Sequence, residues 1–315
     1  MSKIAFVFPG QGSQTVGMMK EFYDTYAVVK DVFKEADEAL GFSMTDLCFN
    51  GPEDQLRLTY NTQPAILTCS VAALKVLQEH GVEPAVAAGH SLGEYSALVA
   101  AGAISFADAV RTVRKRGQFM QEAVPVGEGA MAAIIALATD KIEEICAQVS
   151  KETGKPVQAV NFNCPGQVVI AGSTEAVQKA ADAMKTAGAK RAIMLPVSAP
   201  FHSTLMQPAA DRLAVELKKV TFSDAKIPVY ANVTAKPETK ASEIEALLVK
   251  QAASPVLWAH TVENMIADGV TDFIEVGPGK VLTGFVKKIN REFTGQNVED
   301  QVSLEKTIAY LQEVR

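Results

Sequence analysis

The chain has few of the residues that build metal sites or covalent cross-links. Its 315 residues include four cysteines and four histidines, and no two cysteines form a C-x-x-C pair. Because structural zinc sites and disulfide frameworks need closely spaced ligands or many cysteines, we expect neither a metal site nor disulfides. Isolated cysteines are typical of a reducing compartment, where they behave as small buried apolar residues. The composition therefore favours a cytoplasmic protein.

Long apolar runs and an excess of positive charge are missing as well. The N-terminal run Ile4–Phe8 is too short for the core of a signal peptide, and no stretch approaches the roughly 18 apolar residues of a membrane span. Lys and Arg number 30 against 36 Asp and Glu, and this net charge of -6 argues against a nucleic-acid-binding protein. We expect no membrane or nucleic-acid partner. The sequence leaves the oligomeric state open, with a monomer favoured.

The apolar pattern is that of an α/β protein with room for about two domains. Ile4–Phe8 and residues 85–88 are short apolar runs that end at Pro-Gly and at Gly89, as strands buried in a parallel sheet do. Residues 94–101 are predicted to form a helix directly after the second run. Further strands of this domain are predicted over 229–233 and 273–276, followed by a helix over 280–290 that we take as the C-terminal helix.

The middle of the chain has a pattern of its own. Strands are predicted over 130–136, 157–161, 167–171 and 192–197, with helices over 140–150 and 174–187. This β-α-β-β-α-β order is the ferredoxin-like split motif in about 70 residues. We therefore predict a core made of residues 1–126 and 198–315, with an inserted ferredoxin-like subdomain over 127–197.

A G-x-S-x-G motif lies at the junction of the second predicted strand and its helix. Gly89 and Gly93 allow a sharp turn that leaves the hydroxyl of Ser91 exposed at a helix N-terminus, where free amides favour negative charge. This arrangement is the nucleophile elbow of acyl-transfer enzymes. The alternative is a helix-entry turn in which Ser91 is only a cap.

A serine nucleophile needs a base, and four histidines are candidates. His90 adjoins the serine but would diverge from it, His80 ends a predicted helix, and His260 begins another. His202 follows the inserted subdomain at a domain boundary, where clefts form, so it is the preferred base, with a structural role as the alternative. No acid adjoins it; the nearest downstream is Asp211. This favours a dyad in which a carbonyl holds the imidazole.

Two other features lack an obvious structural reason. Arg116 lies on the apolar stripe of a helix that begins at Ser105, so it needs a buried acceptor, either a structural acid or an anionic ligand such as a carboxylate on an acyl group. The early loop Gly10–Gln14 fits neither phosphate-loop pattern. It is either a simple turn or a segment whose backbone and Gln11 approach another site.

Taken together, these segments resemble the malonyl-CoA:acyl carrier protein transacylases of bacterial fatty acid synthesis. The resemblance spans nearly the whole chain and includes no appended synthase modules, so a free-standing enzyme is expected. The matching segments are Phe8–Gln14, Thr62–Ala65, Gly89–Glu94, Arg116-Gly117 with Met120-Gln121, Val160–Asn163, Pro200–Ser203 and Glu275–Gly279.

The resemblance implies a hydrolase-like α/β core with a ferredoxin-like insertion. It also implies that Ser91 takes the malonyl group from coenzyme A, with His202 as base oriented by a backbone carbonyl. The backbone amides of Gln11 and Leu92 would form the oxyanion hole. No cofactor is implied, because coenzyme A and phosphopantetheine thioesters are substrates.

The resemblance further implies how substrate and partner are held. Arg116 would bind the malonyl carboxylate, and Gln251 would lie in the pocket beside the base. The partner would be acyl carrier protein, which is acidic in this pathway. Two basic clusters are candidates for docking it, Lys190-Arg191 at the start of the last inserted strand and Lys287-Lys288 on the helix over 280–290; two ordinary solvated faces are the alternative.

Two rival functions remain at this point. A serine esterase or thioesterase also uses G-x-S-x-G, but it would need a third, acidic residue and no arginine for a carboxylate. A non-catalytic module that binds coenzyme A or the carrier would form no covalent adduct.

Overall fold

A computed structural model describes residues 2–197 and 199–314; Met1, Ser198 and Arg315 lie outside the described residues. Its strands, numbered in chain order, are β1 (Ile4–Phe8), β2 (Val86–Gly89), β3 (Gly129–Ile135), β4 (Val157–Cys164), β5 (Gln167–Ser173), β6 (Arg191–Met194), β7 (Val229–Tyr230), β8 (Pro237–Glu238), β9 (Asp272–Val276) and β10 (Gln296–Val298).

The helices connect these strands. They are α1 (Lys20–Thr25), α2 (Ala27–Leu40), α3 (Met44–Asn50), α4 (Glu53–Leu56), α5 (Thr59–Glu79), α6 (Gly93–Ala100), α7 (Phe106–Glu122), α8 (Thr139–Thr153), α9 (Thr174–Thr186), α10 (Gln207–Leu217), α11 (Ala241–Ala252), α12 (Trp258–Ala267), α13 (Val281–Ile289) and α14 (Gln301–Val314). None of these helices is both long enough and apolar enough to cross a membrane.

The larger sheet has the strand order β10-β9-β1-β2-β7-β8 and is parallel except for the β7–β8 pair. Every residue of β1 is buried, as expected for a central parallel strand that helices cover on both faces. Its neighbours β2 and β9 pair with it in register, so the carboxyl ends of all three strands meet at one edge. Ligand sites of open α/β sheets lie at this edge.

The second sheet is antiparallel with the order β4-β5-β3-β6, and α8 and α9 pack against it around their own apolar core. This is the strand order of the ferredoxin-like motif. The predicted fold class, a parallel-sheet core with a ferredoxin-like subdomain, is thereby confirmed. The division into residues 1–126 with 198–315 and 127–197 stays a prediction, and its boundary residue Ser198 lies outside the described residues.

Several predicted boundaries need correction. The strand predicted over 192–197 ends at Met194: Leu195 N–H still donates to the Met131 carbonyl of β3, but Val197 N–H turns back to the Leu195 carbonyl. The strand predicted over 229–233 ends at Tyr230, where the chain turns and Ala231 N–H donates to the carbonyl of Lys236. The helix over 280–290 is not the last one: β10 and α14 follow it and complete the edge of the larger sheet.

The long helices α5 and α7 carry two site residues and pack unusually closely. A Cβ added at Gly117 of α7 would lie 2.6 Å from Tyr60 Cα and 2.9 Å from the Thr59 carbonyl oxygen. Since those are backbone atoms of α5, they cannot give way as a flexible side chain would. Glycine at this position therefore sets the distance between the two helices.

We expect Gly117→Ala to destabilise the protein by about 1–3 kcal/mol, although alanine is the better helix former, because the added methyl overpacks the α5–α7 contact. Gly284→Ala in α13 is the matched control: a Cβ there meets open space, so it should be neutral or stabilise by up to about 1 kcal/mol. Urea unfolding midpoints measure both. Equal stabilisation by the two changes would contradict the close packing.

Candidate active site

Ser91 lies on a strained turn between β2 and α6. Its φ of 54° is in the left-handed region, which a non-glycine residue adopts at an energetic cost. The glycines on either side permit the turn: a Cβ at Gly89 would lie 1.9 Å from the Gly93 carbonyl, and one at Gly93 would lie 2.2 Å from the Phe8 carbonyl oxygen. The strand–turn–helix geometry is that of a nucleophile elbow, with the hydroxyl facing a cavity.

His202 reaches this serine from the loop after β6. Its Nε2 lies 2.7 Å from Ser91 Oγ, and its Nδ1 lies 2.8 Å from the backbone carbonyl oxygen of Gln251. A carbonyl can only accept, so Nδ1 carries the hydrogen and Nε2 is the acceptor for the serine O–H. No carboxylate is needed to set this tautomer. A backbone carbonyl holds the ring in this orientation.

The environment of His202 keeps it neutral. The side chain is almost completely buried, and burial together with the charge of Arg116 lowers the pKa of His202 to about 3. A base must be unprotonated before it can take a proton. His202 therefore remains able to accept the serine proton throughout the physiological pH range.

Arg116 is buried to 1% exposure beneath the same hydroxyl. Its Nη1 donates to Gln63 Oε1 at 2.7 Å, and its Nη2 donates to Gln251 Oε1 at 3.0 Å and to Ser91 Oγ at 3.2 Å. Within residues 2–197 and 199–314 it forms no salt bridge, and its Nε has no acceptor. The hydrogen-bond acceptors of the charged guanidinium are thus neutral amides and a hydroxyl. Its Nε–H remains available to donate to an anion.

Gln251 joins the base to this guanidinium. Its backbone carbonyl accepts from His202, its Oε1 accepts from Arg116, and its Nε2 donates to the Ser91 carbonyl at 2.8 Å. The same Nε2 donates to a carboxylate oxygen of Glu94 at 2.9 Å. One residue of α11 therefore contacts three of the groups that surround the cavity.

Asn232 stabilises the turn at Ser91 by hydrogen bonds. Its Oδ1 accepts the Ser91 N–H at 2.7 Å and its Nδ2 donates to the Gly89 carbonyl at 2.7 Å, while its own N–H donates to Glu94 at 3.0 Å. Because the amide of Ser91 is engaged in this way, it is not free to bind an oxyanion. Among the described residues, the N–H groups of Gln11 and Leu92 have no such partner, and both residues line the cavity.

The cavity beside the serine is small and opens beside a larger groove. It encloses about 120 Å³, and Met120, Met131 and Phe201 supply part of its apolar wall. A groove of about 720 Å³ shares Gln11, Leu195 and Val197 with it and continues along α4. The site can therefore take a short acyl group at its inner end and a long, thin chain outside.

Of the remaining candidates, His90 lines the same cavity, whereas His80 and His260 do not. His80 follows α5 with its Nδ1 2.9 Å from the Val76 carbonyl oxygen, His90 contacts Asn163 Oδ1 at 2.8 Å, and His260 is exposed on α12. In the described part of the chain, no group of three His, Cys, Asp or Glu side chains could hold a metal ion. All four cysteines are free and buried.

The two basic clusters are exposed and lie at the same end of the ferredoxin-like sheet. At this end of the sheet the paired residues of neighbouring strands are, in order, Arg191, Ile135, Gln167 and Cys164. The charge of Lys288 acts on Cys164, so α13 brings the second cluster to that end. The four residues of β6 separate Arg191 from the groove residue Leu195 by about 13 Å.

Sequence reasoning missed the supporting residues. Glu94 and Gln63 lie in segments that carried the family resemblance, but they received no role. Asn232 had no sequence signal, because its partners Gly89, Ser91 and Glu94 are more than 130 residues away in the chain.

An α/β protein with a serine on such an elbow, hydrogen-bonded to a neutral histidine, is of the class that moves acyl groups through a serine. The chain belongs to the acyl transferase domain family, whose model matches residues 5–310. It is 52% identical over 313 residues to the malonyl CoA-acyl carrier protein transacylase of Bacillus subtilis, covering 99% of this chain and 98% of the relative.

Solved structures agree with this assignment. An acyl carrier protein S-malonyltransferase from Vibrio cholerae is 52% identical with a TM-score of 0.94, covering 97% of this chain and all of that one. A malonyl-transacylase in complex with a type II polyketide synthase acyl carrier protein is 50% identical, with a TM-score of 0.94. The match covers 96% of this chain and 98% of that one. The resemblance to malonyl transacylases, and the acyltransferase class with it, is confirmed.

Proposed function

We propose that Ser91 and His202 carry the transfer of a malonyl group from malonyl-CoA to the thiol of acyl carrier protein. The observation that carries this assignment is the 2.7 Å contact between Ser91 Oγ and His202 Nε2, with Nδ1 tied to a backbone carbonyl. A serine is a weak nucleophile alone, and this geometry provides the base it needs.

In the first half-reaction, Ser91 Oγ attacks the thioester carbonyl carbon while its proton moves to His202 Nε2. The free amides of Gln11 and Leu92 stabilise the negative oxygen of the tetrahedral intermediate. The carbon–sulfur bond then breaks, and the leaving thiolate of coenzyme A takes the proton from His202. A malonyl ester on Ser91 and a free thiol remain.

The second half-reaction runs these steps in reverse with another thiol. The phosphopantetheine thiol of the carrier gives its proton to His202 and attacks the ester carbonyl. The bond to Ser91 Oγ breaks, and the serine recovers the proton. Both thiols end long, thin arms, which suits a single groove beside the small acyl cavity. The scheme is ping-pong and needs no cofactor, because thioesters are activated already; we also propose that it takes place in the cytoplasm.

We propose that Arg116 binds the malonyl carboxylate. Its buried charge forms no salt bridge with any described residue, and it contacts the nucleophile itself at 3.2 Å. An acyl group on Ser91 would thus carry its distal carboxylate towards the guanidinium. Gln251 and Gln63 hold the guanidinium from the other side. This arrangement favours malonyl transfer over the rival esterase function, which has no use for a buried arginine beside the serine.

The experiment that tests the function is intact-protein mass spectrometry after mixing with malonyl-CoA. We expect one malonyl group on the wild-type chain and none on Ser91→Ala, whose fold should persist because only a hydroxyl is removed. Ser96→Ala, which removes a buried hydroxyl from α6, the helix that follows the Ser91 turn, is the control and should still be malonylated. Turnover to free malonate would indicate a hydrolase, and no adduct on the wild type would indicate a binding module.

Arg116→Ala should remove the preference for malonyl over acetyl thioesters. Losing a buried charged pair costs on the order of 2–5 kcal/mol, which would appear in malonyl transfer alone, while acetyl transfer should fall far less or rise. Single-turnover acylation rates with the two thioesters measure the difference. An equal loss for both substrates would show that Arg116 is structural.

We also propose that the carrier docks on the basic clusters Lys190-Arg191 and Lys287-Lys288, since both lie at one end of the ferredoxin-like sheet. Rim charges act mainly on association rate and its salt dependence. Lys190→Glu with Lys287→Glu should therefore slow transfer to the carrier severalfold, most at low salt. The first half-reaction should change less.

The matched control reverses two exposed lysines on α2 and α14, Lys34→Glu with Lys306→Glu. It changes the net charge equally at positions that line neither the cavity nor the groove. Unchanged carrier kinetics in the first pair, with malonylation intact, would refute the docking site and leave the Ser91 chemistry untouched.

A further inference from the structure

Glu94 is a buried acid that the chemistry above does not use. It lies in the first turn of α6, three residues after the nucleophile, and is completely buried. One oxygen, Oε2, accepts from the backbone N–H of Asn232 at 3.0 Å and from Gln251 Nε2 at 2.9 Å. The other oxygen, Oε1, has no hydrogen-bond partner among the described residues.

This arrangement is costly for the fold. A buried carboxylate with an unpaired oxygen loses hydration that nothing replaces, and burial raises the pKa of Glu94 to about 7. A glutamine of the same shape could accept both hydrogen bonds without a charge. The opposite charge of Arg116 offsets part of this cost, and the two hydrogen bonds that Oε2 accepts tie the acid to the site.

The contacts of Gln251 indicate that role. Its Nε2 faces three acceptors, which are Glu94 Oε2, the Ser91 carbonyl and Asn232 Oδ1 at 3.3 Å, while its Oε1 faces Arg116. Turning the amide over would set oxygen against these acceptors and NH₂ against the guanidinium. In its ionised form Glu94 is the charged acceptor of the three, so it then contributes most to holding the amide in this orientation.

We propose that Glu94 is a positioning residue for acyl-group selection: by fixing the side-chain amide of Gln251, it holds Arg116 in place for the carboxylate of the acyl group. The inference rests on the proposed role of Arg116. It adds that selectivity for a carboxylate-bearing acyl group depends on an acid that does not touch the substrate. The chain of contacts is Glu94 to Gln251 to Arg116.

Glu94 also contacts Asn232, and an effect through that residue would change the acylation rates differently. Through Asn232 the acid also supports the Ser91 N–H, and disturbing that support would slow acylation by every thioester alike. An effect through Gln251 would instead act on the substrate that uses Arg116. The ratio of malonyl to acetyl acylation rates separates the two routes.

The experiment measures that ratio by single-turnover acylation with malonyl-CoA and acetyl-CoA. The variants are Glu94→Gln, Gln251→Leu, the double variant Glu94→Gln with Gln251→Leu, and Arg116→Ala. Gln251→Leu keeps the backbone carbonyl that orients His202. Glu275→Gln is the control, because Glu275 is another buried acid, hydrogen-bonded to Leu282 and Thr283 of α13 outside this network.

We expect Glu94→Gln to lower the malonyl-to-acetyl ratio about tenfold, and Gln251→Leu to lower it at least as much. The double variant should be no lower than Gln251→Leu alone, since Glu94 acts through that side chain. Glu275→Gln should leave the ratio unchanged. The thermal midpoint of each variant checks that the proteins being compared are folded.

Each contrary result has a definite meaning. An unchanged ratio in Glu94→Gln beside a collapsed ratio in Arg116→Ala overturns the positioning role and leaves the proposed function standing. Equal slowing of both substrates assigns Glu94 to the elbow, and a further drop in the double variant shows a route that bypasses Gln251; either overturns the inference. An unchanged ratio in Arg116→Ala overturns the role of Arg116 and the inference with it.

Discussion

The site is built around a buried guanidinium, that of Arg116, which forms no salt bridge in the described part of the chain. Arg116 must find acceptors inside the protein, since losing hydration without replacement would be strongly destabilising. Two amides and the serine hydroxyl supply them, from α5, α11 and the elbow. Gly117, the next residue, lets α5 approach closely enough for Gln63 to reach the charge. The close packing of α5 against α7 is therefore also a requirement of the site.

The same network joins catalysis to recognition. Gln251 orients the base through its backbone and the arginine through its side chain, so neither group can shift without affecting the other. Asn232 occupies the amide of Ser91 and leaves the amide of Leu92, at the start of α6, for the oxyanion. These residues do no chemistry in the scheme above. They determine which groups are available to do it, which is the preorganisation that acyl-transfer sites require.

The parts of the site that local pattern encodes could be predicted from the sequence. The elbow follows from glycines between an apolar run and a helix, and Arg116 was recognised because a charge interrupts an apolar stripe. His202 was preferred from its position at a boundary, and the dyad from the lack of a nearby acid. Asn232 and Glu94 could not be found this way, because their contacts join segments far apart in the chain. The early end of β6 is a further case: the apolar pattern runs on to Val197, but Val197 N–H donates to the Leu195 carbonyl in a local turn.

With the role proposed for Arg116, selectivity for a carboxylate-bearing acyl group follows from whether folding or substrate binding bears the cost of removing the guanidinium from water. The guanidinium is already removed from water in the free protein, so folding bears that cost and the substrate does not. An incoming carboxylate exchanges a neutral acceptor, Ser91 Oγ, for a charged one, which strengthens the hydrogen bond. An acetyl group offers no such exchange and leaves the charge as it was. The hydrogen bonds that stabilise buried Arg116 in the free protein would thus also be the reason that it prefers an acyl group with a carboxylate.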